Sequence, residues 1–251
     1  MEWILASLAS LGAGFIDAIV GGGGLILVPA LFAVYPAAAA PTLLGTNKAT
    51  AVWGTGIAAG QYARRVNLRW RILLPAAAGG FAGAFGGAYL ATIVSGEFLR
   101  QLLPVVLVAV FVYTLLNKDL GTHHGPRFAG RTELIIALVI GITIGFYDGF
   151  FGPGTGSFFI FLFVRLLGYD FLNASAHSKI LNLGTNLAAL ILFAMTGHVW
   201  WHLALPLALA NIVGALIGAR IALKHGSKFV RWVFILVVGA LIAKTAVDAY
   251  F

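Results

Sequence analysis

The sequence predicts an all-α, polytopic integral membrane protein, and three observations carry that prediction. Apolar residues make up 61% of the 251, charged residues only 10%, and the mean hydropathy is +0.98; soluble domains carry about 25% charged residues. The apolar residues fall into runs of span length, separated by short polar or glycine-rich breaks. The third observation is a repeat. Gly14-Phe15-Ile16-Asp17-Ala18-Ile19-Val20-Gly21-Gly22-Gly23-Gly24 is echoed 131 residues downstream by Gly145-Phe146-Tyr147-Asp148-Gly149-Phe150-Phe151-Gly152-Pro153-Gly154-Thr155-Gly156, with the Gly-Phe-x-Asp start in register. A chain of this length holds about eight to ten helical segments of roughly 20 residues each. The expectation is two inverted repeats with glycine-broken helices or re-entrant hairpins.

In chain order, apolar segments are expected near 3–20, 25–36, 46–63, 72–95 and 99–117, then near 134–151, 157–168, 177–195, 203–223 and 230–250. The segment at 25–36 is too short to cross alone at 1.5 Å per residue. With the glycines before it, it reads as the return arm of a hairpin that meets its partner in mid-membrane. Non-helical backbone survives at that depth only where protein or a water-filled cavity satisfies it. Residues 118–133, with Lys118, Asp119, His123, His124, Arg127 and Arg131, form a polar linker. The chain thus divides into a first membrane repeat (1–117), a cytoplasmic linker (118–133) and a second membrane repeat (134–251). The start, Met1-Glu2-Trp3, lacks the basic region of a signal peptide and is expected to be retained.

Sliding the chain by 131 residues aligns functional residue types as well as apolar ones. Lys48 meets Lys179, Trp70 and Pro75 meet Trp201 and Pro206, and Gly83-Ala84 and Gly87-Ala88 meet Gly214-Ala215 and Gly218-Ala219. Small residues four apart let membrane helices approach closely. The net charge of +8 is explained by topology, because short cytoplasmic loops collect Lys and Arg. Arg64, Arg65, Arg69 and Arg71 follow the third segment of the first half, whereas Arg220, Lys224, Lys228 and Arg231 follow the fourth segment of the second. That shift by one segment is what inversion requires. Nucleic acid is not an expected partner, and the absence of cysteine excludes disulfides and thiolate chemistry.

Lys48 and Lys179 are the first candidate site residues. A lysine at the centre of a membrane helix costs about 2.5–3.5 kcal/mol on insertion scales, so a repeat-related pair demands partners or a purpose. Two readings stand: both cations face a cavity and attract an anion, or each pairs with Asp17 or Asp148 or reaches toward the interface. The glycine breaks suit the first, since a helix that starts there points free N–H groups and a positive dipole end at its surroundings. Substrate contacts are therefore assigned to Lys48, Lys179, Asn47, Ser178, Gly22, Gly23, Gly154, Thr155 and Asn182. Asp17, Asp148 and His177 are assigned to proton coupling, with ion pairing or packing as their alternatives. His198 and His202, four apart, have no acidic third ligand and read as part of a Trp-rich interfacial loop rather than a metal site. No cofactor is called for, and no catalytic signature of an enzyme is present.

At these residues the sequence resembles the TauE/SafE sulfite exporter family, also called the toluenesulfonate uptake permeases. The likeness covers nearly the whole chain and rests on the duplicated glycine-rich hairpin, Asn47-Lys48, Ser178-Lys179 and the run Gly214-Ala215-x-x-Gly218-Ala219-Arg220. It implies a transporter of small sulfur oxyanions or organosulfonates in the cell inner membrane. One departure stands out: Gly152-Pro153-Gly154-Thr155-Gly156 replaces the family's Gly-x-Gly-Gly-Gly, so Pro153 removes an N–H donor and Thr155 adds a hydroxyl. The expected function is a proton-coupled secondary transporter working by alternating access around a midplane site. An uncoupled anion channel and a membrane scaffold without transport are the alternatives. Expected partners are a small anionic substrate and membrane lipid, with a homodimer as the candidate protein assembly.

Overall fold

A computed structural model of the chain describes residues 2–93 and 125–250, with the backbone alone for 238–250. The expected segment at 99–117 and linker residues 118–124 lie outside the described residues. Every regular element among the described residues is helical: α1 (Glu2–Val20), α2 (Gly24–Val34), α3 (Ala40–Ala63), α4 (Trp70–Ala91), α5 (Arg131–Phe150), α6 (Thr155–Leu162, prolonged by a π-turn over Phe163–Leu167), α7 (Phe171–Met195) and α8 (Trp201–Tyr250). Five of these, α1, α4, α5, α7 and α8, are long and apolar enough to cross a membrane. The chain is a polytopic helical membrane protein.

Three boundaries differ from those read in the sequence. Segments expected to begin at 46 and 177 begin at Ala40 and Phe171. The first turns of both helices carry polar groups that face inward, Thr42 in α3 and Ser175 in α7, both buried. A hydropathy run does not register a turn whose polar side chains are satisfied inside the protein, so Lys48 and Lys179 sit about two turns deeper than expected. As expected for 203–223 and 230–250, α8 consists of two helical runs, separated at Gly226, whose φ of 73° and ψ of −167° are not helical. The helix expected from 134 begins at Arg131 and shortens the linker.

Loop contacts collect the basic residues at one end. Arg69 pairs with Glu133 at 2.6 Å, the Arg127 N–H donates to the Leu167 carbonyl and that of Gly125 to Gly168, and the Leu172 N–H donates to the Ser227 hydroxyl. The other end is aromatic: Trp3 lies against His202, and Tyr35 meets Trp200 edge-on at 5.6 Å between ring centroids. Trp3 opens α1 and Tyr35 closes α2, so this hairpin returns to the end it started from. The hairpin of α5 and α6 does the same from the basic end, running from Arg131 to Leu167. Each hairpin thus keeps its two outer ends at one end of the bundle.

The two hairpin tips touch. Gly21, at φ 75°, lies so close to Gly156 that a β-carbon on either would collide with the other's backbone, and the Ser157 hydroxyl donates to the Val20 carbonyl at 2.8 Å. Around this point the helices pack through glycine contacts that recur at the 131-residue offset. Gly14 lies against the Asn211 carbonyl and Gly145 against that of Gly80; Gly214 meets the Leu11 carbonyl and Gly83 that of Ile142; Gly218 meets Phe15 and Gly87 meets Phe146. In each pair the first contact joins α1 to α8 and the second joins α5 to α4. Backbones this near leave no room for a side chain, which is the physical content of the small-residue spacing. Polar contacts follow the same rule: the Trp200 N–H donates to the Thr46 hydroxyl as the Arg69 N–H donates to His177 Nε2.

Candidate functional site

The lysines and aspartates singled out in the sequence meet across the two halves. Lys48 of α3 donates to Asp148 Oδ1 on α5 at 2.6 Å and to Asn186 Oδ1 on α7 at 3.1 Å. Lys179 of α7 donates to Asp17 Oδ2 on α1 at 3.0 Å and to the Asp17 backbone carbonyl, and the Thr55 hydroxyl reaches the same carboxylate. Neither lysine reaches an interface: Lys48 is 2% exposed and Lys179 fully buried. Each aspartate lies within a turn of its glycine break, so the tip geometry positions it. At Gly152, φ is 92°, and a β-carbon would come within 3.0 Å of the Lys48 ammonium. Only glycine fits both the backbone and the cation there.

Between the tips lies a cavity of about 20 Å³, enough for about one water molecule. Its charged walls are Asp17, Lys48 and Asp148, its neutral polar walls Asn47, Thr155, Asn182 and Asn186, and backbone from Gly21, Gly24, Gly152 and Gly156 closes it. Two acceptors here have no hydrogen-bond partner, Asp148 Oδ2 and Asn47 Oδ1. With two ammonium groups against two carboxylates, the formal charge of the site is zero. The walls follow the repeat but are not equal: Thr155 stands where Gly24 stands in the other half, and Asn182 where Ala51 stands.

Of the residues expected to contact substrate, Lys48, Asn47, Thr155 and Asn182 meet at this cavity. The others lie behind it. Lys179 is covered by Asp17, and the Ser178 hydroxyl donates to the Gly156 carbonyl at 3.1 Å, tying α7 to a hairpin tip. Gly23 packs back onto Ala13 and Asp17, Gly22 faces Ile16 and Val237, and Gly154 packs against Leu25. At the start of α2 the Gly22 and Gly23 carbonyls accept N–H bonds from Leu25 and Ile26, so that turn is tightened on itself rather than opened to a ligand. Thr155 turns its hydroxyl to the Gly152 carbonyl at 2.7 Å.

Asp17 and Asp148 both face the cavity, whereas His177 does not. Its Nδ1 contacts the Asn173 carbonyl at 2.8 Å, its Nε2 accepts from the Arg69 N–H, and its ring stands edge-on to Tyr169. That is a packing position at the basic end. Asn186 is the polar wall that the assigned set omitted; its signal was the four-residue spacing from Asn182 on the helix that bears Lys179. Asn211, in contrast, ties helices together by donating to the Ser10 carbonyl.

The sequence profile described as Sulfite exporter TauE/SafE matches residues 6–245, which takes in both hairpins, all four charged residues of the site and every wall of the cavity. Curated relatives align over the same extent. A "Probable membrane transporter protein ORF9" of Sinorhizobium sp is 41% identical over 238 residues, covering 94% of this chain and 89% of its own. "Probable membrane transporter protein YfcA" of Escherichia coli K12 is 37% identical over 240 residues, covering 95% and 87%. A "Probable membrane transporter protein" of Haemophilus influenzae is 36% identical over 252 residues, covering 98% and 95%. A match of this extent, on a helical membrane scaffold whose hairpin tips close over a buried charged site, makes the chain a member of the TauE/SafE sulfite exporter family of membrane transporters.

Proposed function

We propose that the chain is a proton-coupled secondary transporter of small sulfur-containing anions, sulfite or sulfonates, in the cell inner membrane. Its two halves act as inverted repeats that move against each other around the cavity between the hairpin tips. Secondary transporters built from inverted repeats hold their sites where broken helices meet near the midplane. The positive-inside rule puts the basic end in the cytoplasm.

The observation that carries the reading is the small cavity with balanced charges beside an unpartnered Asp148 Oδ2. An anion entering a buried site with balanced charges adds an uncompensated charge, which costs several kcal/mol per ion. A proton on Asp148 removes that cost: the carboxylate becomes neutral, Lys48 is released from it, and the freed ammonium with Asn47, Asn182 and Asn186 receives the anion. Proton and anion then share one site without a net change of charge for a monovalent substrate. The family's description, and the size of the residues lining the cavity, support a small oxyanion over a bulky solute.

Proteoliposome counterflow tests this. An inward proton gradient should concentrate labelled sulfite or methanesulfonate above its external level, and Lys48→Met should abolish that accumulation. Equilibration without concentration would identify an anion channel. No uptake and no anion-dependent thermal shift would leave a scaffold.

A further inference from the structure

A second concave site opens at the basic end and shares no lining residue with the central cavity. It has a volume of about 770 Å³ and is walled by Arg65, Arg69 and Arg127 with Asn67 and Asn173. The positive-inside rule accounts for arginines at this end, but it asks only for charge on a loop, not for three guanidinium groups around one concavity. Two of the three are held in place. Arg69 Nη1 is fixed by Glu133 at 2.6 Å, and Arg127 is pinned by its N–H to the Leu167 carbonyl and by Nη1 to the Arg165 carbonyl at 2.8 Å. Arg65 forms no ion pair among the described residues.

The nearby carboxylates do not cancel this charge. Asp170 accepts from the Asn173 N–H and side-chain amide and from the Ser227 hydroxyl, while Glu133 is wholly buried and shared between Arg69 and the Tyr169 hydroxyl. Glu133 and Asp170 together carry two negative charges against three arginines, which still leaves a surplus of positive charge. Guanidinium forks fixed in advance lose little freedom on binding and match tetrahedral oxyanions two hydrogen bonds at a time.

We infer that this groove is a second anion site, which binds a sulfate- or sulfonate-type oxyanion through Arg65 and Arg127 with Arg69 shared between the anion and Glu133. On the proposed orientation it faces the cytoplasm, so it concentrates substrate at, or accepts it from, the inner mouth of the transporter. The same chemistry suits the phosphate of an anionic lipid headgroup. This reading rests on the proposed orientation and substrate class, while the binding itself does not depend on the central site.

Equilibrium dialysis of the full chain in an uncharged detergent tests the assignment, with labelled sulfate and with short-chain phosphatidylglycerol as probes. The proteins compared are wild type, Lys48→Met and the double variant Arg65→Gln/Arg127→Gln. Arg65 and Arg127 are exposed and the double variant should elute from gel filtration as wild type does. The expected result is binding of one or both probes to wild type and to Lys48→Met, weakened about tenfold or more in the double variant, the scale of a lost charge-assisted pair. Sulfate alone would identify a free oxyanion as the occupant, and phosphatidylglycerol alone a lipid headgroup. An unchanged curve in the double variant, or no binding of either probe to wild type, overturns the site. Failure of the central reading is distinguishable, because it would instead leave uptake by Lys48→Met intact.

Discussion

Lys48 and Asp148, a hundred positions apart in the chain, lie 2.6 Å apart in the fold, and the pair that repeats them at the 131-residue offset, Asp17 and Lys179, lies 3.0 Å apart. Each bridge joins one half to the other. Neither half contains a complete pair of its own.

Removing one member leaves a buried uncompensated charge, at a cost of about 3–5 kcal/mol. Lys48→Met and Lys179→Met should each lower thermal stability by that order. The double variant Lys48→Met/Asp148→Leu should recover most of it. A thermal-unfolding double-mutant cycle reads the coupling; strictly additive losses would mean the bridge contributes nothing.

Asp148→Asn keeps the shape of the carboxylate and cannot take up a proton. In wild type, protonation of Asp148 releases Lys48, so binding of an anion should take up a proton, in the direction proton linkage requires. In Asp148→Asn binding should proceed without proton uptake and accumulation should no longer follow the proton gradient. Proton uptake by the variant equal to that of wild type would assign coupling elsewhere.

At the glycine contacts, Gly14→Leu and Gly145→Leu drive a side chain into the Asn211 and Gly80 carbonyls. Overpacking costs about 1–3 kcal/mol or more when backbone must move. Both variants should unfold at lower temperature than wild type. Gly60→Leu, with nothing within 4 Å of its added β-carbon, should not. Leu is the better helix former at each position, so a drop at Gly60 equal to that at Gly14 would mean that close approach does not govern them.

Tyr169 lies in the loop between the π-turn and α7, and burial together with its hydrogen bond to Glu133 raises its hydroxyl above the usual phenol range. A raised value means the folded state holds the proton more tightly. The stabilisation is complete below the ordinary value near 10 and fades as pH rises beyond it. Wild type minus Tyr169→Phe should therefore show a stability difference that shrinks in alkali, and Glu133→Gln should reduce that alkaline slope. A constant difference would place the tyrosine's contribution in packing alone.

Much of this was legible in the amino-acid order, because hydropathy and internal repetition are properties of the chain itself. The apolar runs gave a helical membrane protein, and the offset linking Lys48 with Lys179 and Asp17 with Asp148 put four charged residues on related elements. The small-residue spacing at Gly214 and Gly218 marked the close packing against α1. Helix starts were read late, since the turns that carry Thr42 in α3 and Ser175 in α7 hold polar side chains that lie buried in the protein.

Sequence alone determined that two halves of one kind exist and which charges they carry, because a lysine in lipid must find a partner or a use. It left open which partner each lysine meets. Tertiary structure decided that each lysine meets the aspartate of the other half, that Asn186 joins the cavity while Ser178, Gly22, Gly23 and Gly154 support it from behind, and that His177 belongs to the basic end. The reason is geometric. A hairpin tip only a few residues long presents some backbone to the cavity and turns the rest onto its own arms, and that choice depends on contacts between residues more than a hundred positions apart.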